Sequence, residues 1–154
     1  MPIYFLDSSA VVKHYHPEPG SEEVSRILHE PSSRFYISRL AVVEVHRAFA
    51  GKARINLLSA DELVELRHYF YGDLRGRRFR VKRLYDFHFH AAVRLVLKHG
   101  PASGTPLLRS LDALHLAVAL DIRAREGLDV FVCADQDLCA VAEAEQLSVL
   151  NPTA

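Results

Sequence analysis

The chain predicts a three-layer α/β domain with a mainly parallel central sheet, and three observations carry that prediction. The first is Ile3-Tyr4-Phe5-Leu6, an apolar run that stops on Asp7. Apolar side chains in unbroken succession suit a strand covered on both faces, as in a parallel sheet flanked by helices. The second is the repetition of that pattern in Val130-Phe131-Val132-Cys133-Ala134-Asp135, again ending on an acid. The third is the order strand, helix, helix, strand, helix, helix, strand, helix, helix, strand, helix, strand. With 154 residues and 49% hydrophobic content, the chain fits one domain spanning 1–154, whose core needs neither disulfide nor structural metal.

Each element follows from local chemistry. Ser8 to Tyr15 reads as a short helix halted by Pro17-Glu18-Pro19-Gly20, which cannot continue it. Ser21, Glu22 and Glu23 open a second helix, with Val24, Ile27 and Leu28 at helical spacing and the acids facing the positive end of the helix dipole. Phe35-Tyr36-Ile37 is a brief strand, and Ser38 is a good N-cap for a helix over Leu40 to Ile55. Glu44 borders the apolar stripe of that helix, beside Ala41 and Ala48. Asp61 to about Tyr71 is an ordinary amphipathic helix built on Leu63, Leu66 and Phe70.

The stretch Arg75 to Arg83 alternates, with Phe79 and Val81 on one face and Arg78, Arg80 and Lys82 on the other. It reads as an edge strand whose charges either block unwanted sheet pairing or contact phosphate. Asp86 can cap a helix from Phe87 to Lys98, ended by Gly100-Pro101, and residues 102–106 have strong turn chemistry. Ser110 then starts a helix that is apolar nearly all round from Leu111 to Leu120, interrupted by Asp112 and His115. These two share a face. A carboxylate in such surroundings must be paired, protonated or bound to metal, and His115 reads as a hydrogen-bonded core histidine rather than a ligand. Asp137 to Gln146 is the last helix, and Ser148-Val149-Leu150 the last strand.

The totals bound the partners. Nineteen basic residues balance nineteen acidic ones, so no global field draws the chain to nucleic acid or anionic membrane, and a polyanion site must be local. Cys133 and Cys139 match no zinc or thioredoxin spacing and read as inert core thiols in a reducing compartment. The chain opens without a basic, apolar leader, and its apolar segments are too short or interrupted to span a bilayer. A soluble cytoplasmic protein with no membrane partner is expected.

Asp7 lies at the end of the first strand, the edge where ligands bind in open α/β sheets, although Asp7, Ser8 or Ser9 can equally cap the helix that follows. If the two acid-terminated strands are neighbours, Asp7 and Asp135 converge with Glu44 and Asp112 in one acidic pocket. Clustered carboxylates repel at neutral pH unless protonated or bridged by a divalent ion, and hard oxygen ligands suit Mg2+ or Mn2+. Such a set is the usual equipment for metal-assisted phosphodiester cleavage. Asp137 is either an accessory acid or a cap of the last helix. Ser8 and Ser9 can meet phosphate or carboxylate at a helix start. Lys13 and Arg109, flanking the acids, either contact phosphate or lie on a solvated face.

Several stretches resemble the signatures of PIN-domain ribonucleases: Phe5-Leu6-Asp7-Ser8-Ser9-Ala10-Val11-Val12-Lys13 with Pro17-Glu18-Pro19-Gly20, Glu44 within Ser38 to Val45, Leu108-Arg109-Ser110-Leu111-Asp112-Ala113-Leu114-His115-Leu116-Ala117, and Val132-Cys133-Ala134-Asp135. The likeness spans almost the whole chain and is nearest to VapC-type toxins. It implies a PIN-like fold and a metal-dependent endoribonuclease in which Asp7, Glu44, Asp112 and Asp135 hold one or two Mg2+ or Mn2+ ions. It also implies an RNA substrate, a homodimer, and a VapB-type antitoxin whose C-terminal segment blocks the acidic groove. Cys133 departs from the Thr or Ser that often precedes the last acid, so a hydroxyl is missing there.

Three other readings compete. All-helical nucleases pair Arg with His, as Arg83 with His88 or Arg109 with His115, but acid-terminated apolar strands contradict an all-helical fold. A haloacid-dehalogenase-like phosphatase wants a second Asp two residues after Asp7, where this chain has Ser9. A non-catalytic PIN-like module for binding RNA or protein is the alternative that divalent-metal binding would separate from the enzyme.

Overall fold

In the computed structural model, which describes residues 1–100 and 108–154, a parallel sheet is sandwiched between helices. The turn expected at 102–106 lies outside the described residues. Strand β1 (Ile3–Leu6) leads into α1 (Ser8–Tyr15) and α2 (Ser21–Leu28), and β2 (Arg34–Ser38) into α3 (Arg39–Arg54) and α4 (Ala60–Arg75). Then come β3 (Arg80–Lys82), α5 (Asp86–His99), α6 (Ser110–Glu126), β4 (Val130–Val132), α7 (Gln136–Ala144) and β5 (Val149–Leu150).

The strand order is β3-β2-β1-β4-β5, with every pairing parallel. The chain therefore winds outward from β1 in both directions, and the crevice between β1 and β4 is a topological switch point, where open α/β sheets bind ligands. The four residues of β1 are all buried, and their alternation sends them to opposite cores. Ile3 and Phe5 join the apolar face of α5, α6 and α7, while Tyr4 and Leu6 join α1, α2 and α3 with Phe70 of α4. Phe5 stacks on Phe131 of the neighbouring strand, with ring centroids 5.5 Å apart. The backbone N–H of Asp7 donates to the carbonyl of Val132 at 2.9 Å, so the β1–β4 ladder runs to the base of the crevice.

Several elements differ from the sequence expectation for identifiable reasons. Helix α4 continues to Arg75 because Phe70 is wholly buried and Asp73 bonds the Tyr15 hydroxyl at 2.6 Å, which together outweigh Gly72. The basic strand is thereby shortened to β3, which does lie at the sheet edge, with Phe79 buried just before it. Strand β4 ends at Val132, so Asp135 follows it after a short extension rather than terminating it. Ser38 precedes α3 but makes no capping bond, since its hydroxyl is taken by His115. Asp86 lies within α5, whose N-cap position is Tyr85. Asp137 is not a cap either; Asp135 caps α7.

Candidate active site

At the C-terminal rim of the sheet a cavity of about 410 Å³ is lined by Asp7, Glu44, Asp112 and Asp135, together with Ser8, Ser9, Arg47 and Arg109. The four acids named from the sequence thus share one pocket, delivered by β1, α3, α6 and the segment after β4. Of the two readings that the sequence left open for Asp7, the structure shows the cap, and it places the same side chain in the pocket wall. Its Oδ2 accepts from the backbone N–H of Ser9 at 3.2 Å and from the Ser9 hydroxyl at 2.7 Å, capping α1. Its Oδ1 is buried and has no hydrogen-bond partner among the described residues. Ser9 also ties the two strand ends together, since its Oγ accepts from the N–H of Ala134 at 3.1 Å.

Glu44 is held from behind. His115 is fully buried; its Nε2 hydrogen-bonds the Glu44 carboxylate, and its Nδ1 meets the Ser38 hydroxyl at 2.8 Å. Nε2 also lies 3.8 Å from Asp7 Oδ1, too far for a hydrogen bond. Burial disfavours the imidazolium, but Glu44, Asp7 and Asp112 outweigh it and raise the His115 pKa above the usual value. Burial likewise disfavours ionised Glu44, yet His115, with help from Ser8 and Arg109, leaves its carboxyl below the ordinary range. The core-histidine reading of His115 thus gains a purpose: it positions an acid of the pocket.

Asp112 and Asp135 share one cation. Arg109 donates through Nε to Asp112 Oδ2 at 2.9 Å and through Nη2 to Asp135 Oδ2 at 2.6 Å. Burial pushes the Asp112 carboxyl up; the Arg109 bond opposes this, and the charges of Asp7 and Asp135 add to it, so the net shift is upward. Asp135 Oδ1 caps α7, accepting from the N–H groups of Asp137 and Leu138 at 2.9 and 3.1 Å. Asp137 lies apart from the main pocket, in an adjoining depression with Asp112, Asp135 and Arg109. Cys133 is buried, and its Sγ accepts from the Asp135 N–H at 3.3 Å, a turn-forming bond that a hydroxyl would make equally.

The remaining cations are placed differently from one another. Lys13 is buried rather than on a solvated face, and its Nζ meets Glu18 at 3.0 Å, with Lys52 on the other oxygen of Glu18 at 2.8 Å. A shallow trough holding Lys13 and Lys52 shares Ser9, Val12, Ala48 and Asp135 with the acidic pocket and so continues it. Arg78, Arg80 and Lys82 do not line the pocket. Arg78 pairs with Asp73, Lys82 pairs with Glu126, and Arg80 lies 6.0 Å from the Tyr36 ring. Sequence reasoning missed Arg47, although its position one turn after Glu44 on α3 put it on the same face.

Among the described residues no three His, Cys, Asp or Glu side chains form a ready-made metal cage; Asp112 and Asp135 pair with Arg109, and Glu44 pairs with His115. The hard oxygen donors and the buried, unpartnered Asp7 Oδ1 nevertheless fit Mg2+ or Mn2+, which take carboxylate ligands readily.

A parallel α/β sheet carrying an acidic pocket at its switch point places the chain among the open α/β proteins that bind ligands at that edge. Within that class the chain belongs to the PIN domain family, whose model matches residues 4–144. It is 28% identical over 151 residues to ribonuclease VapC35 of Mycobacterium tuberculosis, covering 97% of each chain. Among solved structures it resembles VapC20 of Mycobacterium tuberculosis, described as a sarcin-ricin loop cleaving toxin, with a TM-score of 0.61, 15% identity and coverage of 89% of this chain and 93% of that one. It also resembles a toxin-antitoxin complex from Klebsiella pneumoniae, with a TM-score of 0.62, 14% identity and 97% coverage of both chains. No described helix is long and apolar enough to cross a membrane.

Proposed function

We propose that the chain is a metal-dependent endoribonuclease of the VapC type, the toxin of a type II toxin–antitoxin pair. The observation that carries this reading is the convergence of Asp7, Glu44, Asp112 and Asp135 on one cavity at the switch point of a PIN domain. These four acids would hold Mg2+ or Mn2+. A bound ion of that kind polarises the phosphate, lowers the pKa of water and steadies the leaving oxygen.

The chain supplies the rest. Asp7 is fixed by its bonds to Ser9, and Glu44 by the imidazole of His115, so neither carboxylate must be ordered when RNA arrives. The Ser8 side chain, at the start of α1, lies in the pocket wall, where its hydroxyl can meet a phosphate oxygen. Arg47 and Arg109 at the wall offer the strand a basic path, while Lys13, buried against Glu18, lies in the trough that continues the pocket. Hydrolysis leaves a 3′-hydroxyl and a 5′-phosphate.

The partners belong to the same reading. The Klebsiella pneumoniae relative was solved as a complex with its antitoxin, and a VapB-type antitoxin covering the acidic groove would silence this chain in the cytoplasm. A homodimer is part of the proposal, and α5 leaves Phe89, Val93 and Leu97 exposed along one stripe. The absence of a ready-made metal cage among the described residues favours a second reading, a module that binds RNA or protein without cleaving. Purified chain incubated with total cellular RNA and Mg2+ or Mn2+ separates the two: discrete products that vanish with EDTA support the enzyme, and none in any condition supports the module.

A further inference from the structure

Arg109 stands apart from the other cations of the site. It neutralises two of the four acids at once, yet its side chain is 70% exposed, so its arm is held chiefly by the two ion pairs. Exposed pairs of this kind are weak and exchange readily. The acids it engages through Oδ2, Asp112 and Asp135, line the same cavity as Asp7, whose Oδ1 is buried with no hydrogen-bond partner among the described residues and only His115 Nε2 at 3.8 Å. The pocket therefore has one demand for positive charge that Arg109 does not meet and two that it meets loosely.

A divalent ion bound to these acids must compete with the guanidinium for Asp112 and Asp135. We propose that Arg109 is a resident counter-cation which the divalent ion displaces, and that the displaced guanidinium, tethered at the pocket rim beside the start of α6, then takes the phosphate of the RNA. The inference rests on the reading of the pocket as a divalent-ion site. Both halves follow from the chemistry of arginine, whose planar fork matches a carboxylate pair and a phosphate equally well and cannot lose its charge. In the metal-free protein Arg109 relieves repulsion between Asp112 and Asp135. In the loaded protein the same side chain becomes a phosphate ligand, so that substrate binding follows metal occupancy.

Two measurements test this without relying on cleavage. Calorimetric titration with Mn2+ compares the wild type with Arg109→Gln, and the variant is expected to bind about threefold to tenfold more tightly because it has no internal competitor. A 1H–15N spectrum follows the Arg109 Nε–Hε cross-peak, assigned by its loss in the variant. That peak is expected to move during Mg2+ titration with the midpoint of metal binding. It is then expected to move again on addition of dimethyl phosphate, a minimal phosphodiester, to the loaded protein but not to the metal-free protein. Equal Mn2+ affinity in both proteins, or a cross-peak unmoved while Mg2+ binds saturably, overturns the displacement. A phosphate response independent of Mg2+ overturns the coupling. Failure of both proteins to bind any divalent ion overturns instead the metal-site reading beneath the proposal.

Discussion

His115 hydrogen-bonds Glu44 across the pocket floor, joining residues 71 positions apart in the chain. Its other ring nitrogen meets Ser38 at 2.8 Å, where β2 gives way to α3. A single imidazole from α6 therefore fixes both the start of α3 and the acid that α3 presents.

Replacing this bracket is expected to be costly. His115→Ala leaves a cavity, an unpartnered Ser38 hydroxyl and a half-buried Glu44 without its hydrogen-bond partner, which together should destabilise the fold by about 2–4 kcal/mol. Ser38→Ala removes one bond and should cost only about 1 kcal/mol. Urea unfolding of the two variants checks the difference, and equal losses would show that His115 contributes no more than its bond to Ser38.

Asp135 separates capping from chemistry. Its Oδ1 accepts two backbone N–H bonds at the start of α7 while its Oδ2 faces Arg109. Asn is as good an N-cap as Asp, so Asp135→Asn should keep stability near that of the wild type, whereas Asp135→Ala should lose about 1 kcal/mol. Both should lose cleavage. Thermal unfolding and RNA cleavage measured on the same samples test the two roles independently.

Glu18 provides a pH signature away from the acids. Burial favours its neutral form, but the ammonium groups of Lys52 and Lys13 outweigh this and hold its pKa below the usual 4.5. A depressed folded pKa contributes stability that is present above the unfolded value and lost as pH falls through the folded one. Glu18→Gln should therefore be less stable than the wild type by about 1–2 kcal/mol at pH 7. The gap should close in acid, once Glu18 itself is protonated. Stability measured from pH 7 downward tests this, and a gap that does not change with pH would contradict it.

Gly20 is a position where only glycine fits. It precedes α2 at φ +92°, and a Cβ built there would lie 2.9 Å from the carbonyl oxygen of Pro152. Gly20→Ala should cost more than about 1 kcal/mol, since it adds backbone strain to a clash with main-chain atoms that cannot swing away. A melting temperature equal to that of the wild type would contradict it.

The contrast between what the sequence announces and what it conceals has a physical basis. The convergence of Asp7 and Asp135 is legible because unbroken apolar runs must be central strands, and a parallel sheet puts their C-terminal ends on one rim. Helix periodicity likewise places Glu44 at the border of a buried face, and Asp112 stands out as a carboxylate in a helix that is apolar nearly all round. Cap assignments are less legible, because a cap depends on what else competes for the side chain. Ser38 loses its capping role to His115, and Asp137 loses its own to Asp135. The end of α4 is misjudged because the buried contacts of Phe70 and Asp73 are long-range. The Arg109 bridge requires knowing that the start of α6 faces the end of β4, which no local pattern encodes.

The measurement that tests the central claim most directly is RNA cleavage by the wild type beside Asp7→Asn, in Mg2+ and in EDTA, with folding verified for each. Asn preserves the α1 cap, so Asp7→Asn is expected to fold like the wild type. The account predicts cleavage by the wild type in Mg2+, lost both in EDTA and in the variant. Cleavage by folded Asp7→Asn at the wild-type rate would contradict it.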